Sequence, residues 1–287
     1  MPKSSSGGAV ITVLNLKGGV GKTNTTWILA SVAQEREQRI LLVDLDTQAN
    51  LTRSFLDSVD PQRSVAHLFN PAAQPDVMKL VHRTAYSHID LIPATSQLAP
   101  FDLSDQHIWE ETDRHLALLE PIDQLRSTYD FIVFDCPPRL SLVNFAALCC
   151  CDFVIVPLEA ADWGAQGVRQ VTEAIDYVRD RFNPRLQLLG YVVSRYRRSR
   201  AYQRTYLAGL RKHFGAGTFD TVLNDLAQFE RSATDRIPIT LRAPKSQAAD
   251  VARKFVDEVC RRIADKSESS KRLGAQPEPA AATAAGK

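Results

Sequence analysis

Two lysines bracket one glycine-rich stretch, Lys17-Gly18-Gly19-Val20-Gly21-Lys22-Thr23. Its second half is that of a phosphate cradle. Glycines let backbone N–H groups close around phosphate oxygens, Lys22 has the reach for β- and γ-phosphates, and the Thr23 hydroxyl suits Mg²⁺. The first half departs from the strict pattern, which has glycine where Leu16 stands and no lysine at position 17. A bare turn with lysines at both ends would repel itself. The chemistry implied is Mg-nucleotide binding, with one cation more than a phosphate loop needs.

Carboxylates follow in two places. Asp44-Leu45-Asp46 closes the apolar run Ile40–Val43, and residues two apart on a strand share a face. One acid there would support a Mg²⁺ shell and the other would orient a water at the γ-phosphate. Asp135 closes a second apolar run, Phe131–Phe134, the usual form of a strand that presents a carboxylate to Mg²⁺ through water. Pro137 and Pro138 then stop that strand. The candidate nucleotide contacts are Lys17, Gly18, Gly19, Val20, Gly21, Lys22, Thr23, Asn24 and Asp135. Thr23 and Asp135 are candidates for the Mg²⁺ shell, and the spacing leaves open which of Asp44 and Asp46 joins them and which orients the water.

These groups need elements to hold them. Ala9–Leu14 reads as a buried strand, and Ile28, Leu29, Val32 and Ala33 recur at helical spacing, so a helix should begin near Thr23. A helix N-terminus offers unpaired N–H groups and a positive dipole end to an anion. Strands and helices alternate along the chain, which predicts a doubly wound α/β sheet, mostly parallel, with helices on both faces. Ligands of such sheets sit at the carboxyl ends of the strands. Gln106–Leu125 reads as a packing helix, and residues 56–87 as short helices and loops without a chemical motif.

The three segments in this order resemble the ParA/MinD family of deviant-Walker ATPases, and within it the ParA partition branch. Asp44-Leu45-Asp46-Thr47-Gln48-Ala49-Asn50-Leu51-Thr52 is similar to the family's aspartate-rich segment, with Thr47 and Ala49 where proline and glycine are usual. Leu91–Ala94, Asp152–Leu158 and Ala243–Ser246 resemble later parts of the same fold, so the likeness covers about residues 9–263. The resemblance implies that Lys17 reaches across a nucleotide-sandwich homodimer to the partner's phosphates. It implies that Asp46 positions the attacking water, and that Asp44 and Asp135 lie around Mg²⁺. It further implies ATP hydrolysis to ADP, slow without help because no cis arginine finger is evident, and stimulated by a ParB-like centromere-binding protein. A positioning ATPase for a protein cargo, an organelle or a chemotaxis array, would look almost the same.

One stretch is strongly basic although the chain's net charge is only +2. Tyr191–Phe219 contains no acid and carries Arg195, Arg197, Arg198, Arg200, Arg204, Arg211 and Lys212. Such a patch attracts phosphate backbones and gains from counterion release. With no reading helix evident, it should bind double-stranded DNA without sequence preference, a duty the resemblance also implies.

Composition excludes other classes. At 44% hydrophobic and 24% charged residues the chain reads as an ordinary globule. No apolar run approaches the roughly 20 residues that span a bilayer, and the N-terminus lacks the apolar core of a signal peptide. A cytoplasmic, nucleoid-associated protein with no membrane contact is expected. Residues 1–8 should form a flexible segment, 9–265 one ATPase domain, and 266–287 a disordered Ala/Pro/Ser-rich tail. Cys149-Cys150-Cys151 cannot easily converge on one metal, so these three, and Cys136 beside Asp135, are expected to pack rather than ligate.

Overall fold

The β-branched apolar runs fold into the strands of a single sheet. In the computed structural model, which describes residues 7–70, 72–73, 75–102, 113–160 and 165–274, these are β1 (Ala9–Val13), β2 (Ile40–Asp44), β3 (His82–Arg83), β4 (Ile89–Ile92), β5 (Phe131–Asp135), β6 (Phe153–Glu159) and β7 (Gln187–Ser194). Their order is β3-β4-β2-β5-β1-β6-β7. All neighbours pair parallel except β3, an antiparallel edge strand on β4. Strands buried on both sides suit apolar runs without alternation, and β2 and β4 are buried at every residue.

The main helices are α1 (Lys22–Glu35), α2 (Asn50–Phe55), α3 (Leu119–Arg126), α4 (Leu142–Cys150), α5 (Ala165–Arg181), α6 (Ala201–Phe214), α7 (Ala227–Thr234) and α8 (Gln247–Gly274). Alternate strand residues serve opposite faces. Ile11, Val13, Ile40 and Leu42 pack with Ile28 and Val32 of α1 and Phe255, Val256 and Val259 of α8. Val10, Leu14, Leu41 and Val43 pack instead with Leu142 and Ala146 of α4, Val171 and Ile175 of α5 and Leu207 of α6. Full burial of side chains such as Phe255 contributes roughly 1.5–3 kcal/mol each. The sheet is the doubly wound α/β arrangement expected from the alternation.

Several boundaries differ from the sequence reading. The helix expected over Gln106–Leu125 appears as a short turn at Arg114–Leu116 followed by α3, and residues 106–112 lie outside the described part. Helix α8 continues to Gly274, nine residues into the tail expected to be disordered from Lys266, while 275–287 lie outside the description. At the other end Gly8 is held rather than loose. Its N–H donates to the Arg126 carbonyl, and a β-carbon there would come within 2.1 Å of the Tyr129 carbonyl oxygen. Residues 1–6 are outside the description.

Cys136, Cys149, Cys150 and Cys151 are buried and unbridged, filling core space as small apolar side chains. Burial pushes the Cys149 thiol up to about 12. No helix among the described residues is long and apolar enough to cross a membrane. Strand β1 lies between β5 and β6, and the chain leaves it for β2 on one side before returning to β6 and β7 on the other. That reversal opens a crevice at the carboxyl ends of β1, β2 and β5, where the loop Leu14–Gly21 begins.

Candidate nucleotide site

The loop is shaped by two left-handed glycines. Gly19 (φ +76°) and Gly21 (φ +86°) adopt backbone that residues with a β-carbon rarely take, and nothing lies within 4 Å of where a Gly19 β-carbon would stand. Asn15 sets the entry angle: its amide donates to the Pro157 carbonyl at 2.7 Å, and its side-chain oxygen accepts from Lys17 N at 2.9 Å. At the exit, Thr25 N and Thr25 Oγ1 both donate to the Gly21 carbonyl at 2.8 Å and start α1. No side chain caps that helix, so its first N–H groups remain for an anion.

The two lysines are treated differently. Lys22 is buried at 7% exposure, and its Nζ donates back to the Lys17 carbonyl at 3.1 Å, which curls the side chain along the loop. Burial draws its ammonium below the ordinary value, and the nearby Asp135 carboxylate opposes that pull. Lys17 extends from the other end with its side chain 47% exposed, its Nζ 3.8 Å from Glu159 at the end of β6.

Asp135 sits in register with Val13 of β1 and Asp44 of β2, so both acids reach the strand ends beside the loop. Asp135 is 1% exposed, and neither carboxylate oxygen has a hydrogen-bond partner. Burial and the neighbouring Asp44 raise its pKa well above the usual range; the nearby Thr23 hydroxyl and the Lys22 ammonium act the other way. A buried, unpartnered carboxylate costs free energy unless something fills its lone pairs. No group of three or more His, Cys, Asp or Glu among the described residues forms a metal site alone. Asp135 and the Thr23 hydroxyl therefore fit a Mg²⁺ that would complete its shell with phosphate oxygens and water.

Asp44 is employed differently from the expected metal shell. Its Oδ1 accepts from Asp46 N at 3.0 Å, and its Oδ2 accepts from Thr52 N at 2.8 Å and Thr52 Oγ1 at 2.7 Å. Thr52 Oγ1 in turn accepts from Ala94 N at 3.0 Å, tying the segment to the end of β4. Burial nonetheless pushes the Asp44 carboxyl up to about 6. Asp44 is thus a clasp around Asp46, whose own Oδ1 accepts from Gln48 N at 2.9 Å and which stays partly exposed. Asn15, Thr52 and Glu159 were given no role by the sequence, although Thr52 closes the aspartate-rich segment. A polar Asn15 at the end of an apolar strand and the place of Thr52 in that segment were the sequence signals available.

The basic stretch divides into parts. Arg195 turns to the phosphate loop, its Nη1 3.3 Å from the Gly19 carbonyl. Arg197 is paired with Asp225, Nε to Oδ2 2.5 Å, an acid outside the acid-free stretch. Arg198, Arg200, Arg204, Arg211 and Lys212 are exposed on or just before α6. Arg204 donates to the Arg198 carbonyl, Arg200 to the Tyr202 hydroxyl and Arg211 to the Asp220 carbonyl. Of the seven cations, Arg195 faces the phosphate loop and Arg197 an acid, while the other five lie on or just before α6.

A glycine loop from strand to uncapped helix, with an unpartnered carboxylate on the next strand of a doubly wound sheet, defines a phosphate-loop nucleotide-binding protein. A family model described as an AAA domain matches residues 8–188. The chain is 34% identical to the chromosome-partitioning ATPase Soj of Thermus thermophilus, over 88% of this chain and 96% of that one. It is 28% identical to the sporulation initiation inhibitor protein Soj of Bacillus subtilis, over 88% and 98%. A crystal structure of cobyrinic acid a,c-diamide synthase from Mycobacterium smegmatis with bound ADP and magnesium superposes with TM-score 0.74 at 27% identity, over 90% of this chain and 96% of that one. The chain belongs to the ParA/MinD-type ATPases.

Proposed function

We propose that this chain is an ATPase that pairs with a second copy of itself when both hold ATP, that the pair binds double-stranded DNA without sequence preference, and that a ParB-like centromere-binding protein triggers hydrolysis and release during DNA partition. It works in the cytoplasm on the nucleoid. The observation that carries the reading is the contrast between the two lysines. Lys22 is buried along its own loop, whereas Lys17 extends from the loop's opposite end. One cation serves the nucleotide in place; the other is presented outward, where a partner's phosphates would meet it.

Within one subunit the Gly19–Thr23 backbone and Lys22 grip the phosphates. Thr23 and Asp135 would hold a Mg²⁺ ion, and that ion would supply charge neutralisation at the phosphates. Asp46 accepts a hydrogen bond from the attacking water and orients it, its backbone fixed by Asp44 and Thr52. Lys17 offsets the repulsion between two nucleotides brought together in the pair. Arg198, Arg200 and Arg204 supply DNA phosphate contacts.

The test is the lifetime of the DNA-bound state. Asp46→Ala should bind ATP, dimerise in sedimentation, and dissociate from DNA far more slowly than wild type. Lys17→Ala should retain nucleotide binding and stay monomeric. Rapid dissociation of Asp46→Ala in ATP, or ATP-dependent dimers of Lys17→Ala, would refute the assignment.

A further inference from the structure

The phosphate loop is braced from outside by the end of β7. Ser194 is buried, and its Oγ donates to the Val20 carbonyl at 2.5 Å; a β-carbon on Gly21 would touch Ser194 at 3.4 Å. The next residue, Arg195, has φ +51°, a left-handed backbone that is unfavourable for a residue with a β-carbon. This turn carries its guanidinium over the loop, where Nη1 donates to the Gly19 carbonyl at 3.3 Å. The other arginines of the stretch turn away. Arg197 goes to Asp225, Arg204 to the Arg198 carbonyl and Arg211 to the Asp220 carbonyl.

We infer that Arg195 belongs to the nucleotide site, as a second cation that the chain supplies, after Lys22, to the phosphates bound in its own loop. This rests on the nucleotide reading of that loop. Gly19 is mid-loop, so the guanidinium lies next to the peptide units that would cradle phosphate. Only one of its five donors is engaged on the carbonyl. Charge points the same way. Lys17 and Lys22 share their surroundings with four carboxylates, those of Glu159, Asp135, Asp44 and Asp46, and a nucleoside di- or triphosphate adds several more negative charges. A fixed cation at the rim offsets that excess, and a planar guanidinium suits phosphate oxygens.

Arg195→Gly and Arg195→Lys separate the possibilities, because glycine accepts the left-handed backbone while removing the side chain. Equilibrium titration with a fluorescent ADP at low and high salt reads the site, thermal melting without nucleotide reads the fold, and the salt slope of duplex DNA binding reads the DNA face. The expected results for Arg195→Gly are ADP binding roughly three- to ten-fold weaker at low salt, a smaller loss at high salt, and a melting temperature no lower than wild type. Arg195→Lys should keep most of the affinity, and the DNA salt slope should not change.

Unchanged ADP affinity with a DNA slope reduced by about one would move Arg195 to the DNA face and overturn the inference. Equal weakening at both salt concentrations together with a lowered melting temperature would reduce Arg195 to a brace, and also overturn it. Failure of the wild-type chain itself to bind ADP would instead overturn the nucleotide reading on which it rests.

Discussion

Asp135→Asn should stabilise the nucleotide-free protein while abolishing its response to Mg-nucleotide. Asp135 is 1% exposed, with both oxygens unpartnered, and stands opposite Asp44 on the neighbouring strand. Carboxylates roughly 5 Å apart repel by about 3 kcal/mol at an effective dielectric near 20. Lys22 returns a smaller attraction. Asp46 adds a second repulsion, weakened by its partial exposure. Desolvation of Asp135 itself remains uncompensated. Neutralising Asp135 should therefore gain about 1–3 kcal/mol, the scale on which unsatisfied buried groups destabilise. An asparagine amide would in addition be able to donate to Asp44.

At roughly 2–4 °C per kcal/mol for a domain of this size, the apo melting temperature should rise by several degrees. In wild type the same melting curve should rise on adding Mg²⁺ and ATP, and in Asp135→Asn it should not. The pH dependence has a definite sign. Asp44 and Asp135 have folded pKa values above their unfolded ones, so the stability they lend through bound protons is complete below the ordinary carboxylate pKa and is lost as pH rises through the folded values, about 6 for Asp44. Apo wild type should thus lose stability between about pH 4 and 6 and beyond, and Asp135→Asn should lose less over that range. An apo melting temperature several degrees below wild type at neutral pH would refute the reasoning, since it would make the carboxylate a net stabiliser without ligand.

Two further outcomes follow from particular contacts. Thr52→Val removes the hydroxyl shared by Asp44 and Ala94 and should cost about 1–3 kcal/mol in thermal or chemical unfolding; it should also lower kcat while leaving KM for ATP nearly unchanged, and an unaltered kcat would remove Thr52 from the positioning of Asp46. Replacing Arg198, Arg200 and Arg204 together by alanine should lower the log–log salt slope of DNA binding by about three, near 0.9 per lost phosphate contact, whereas Arg197→Ala should leave the slope unchanged because its guanidinium already faces Asp225. A slope that responds only to Arg197 would reverse that division.

What was legible in the sequence was whatever depends on neighbours along the chain. Alternation of strand and helix, the strand ends at Asp44 and Asp135, and the loop between Leu14 and Lys22 all follow from local pattern, and the sheet assembles them as those patterns require. What was hidden depends on partners brought near by the fold. Asp44 looks like a metal acid until Thr52, eight residues on, and Ala94, at the end of β4, close a hydrogen-bond chain around it. The acid-free run from Tyr191 to Phe219 suggests one cationic surface. A left-handed backbone at Arg195 and the acid at Asp225 split it into a rim of the phosphate loop, a surface ion pair and an exposed helix face. Helix α8 gives the third case. The Lys266–Lys271 composition is that of a disordered tail, yet helix propagates into it from the turn anchored by Phe255, Val256 and Val259, because extending an existing helix avoids the cost of nucleating one. The same logic applies to Arg195. Its residue type argued for DNA, and only its backbone angle and its reach to Gly19 argue for the nucleotide.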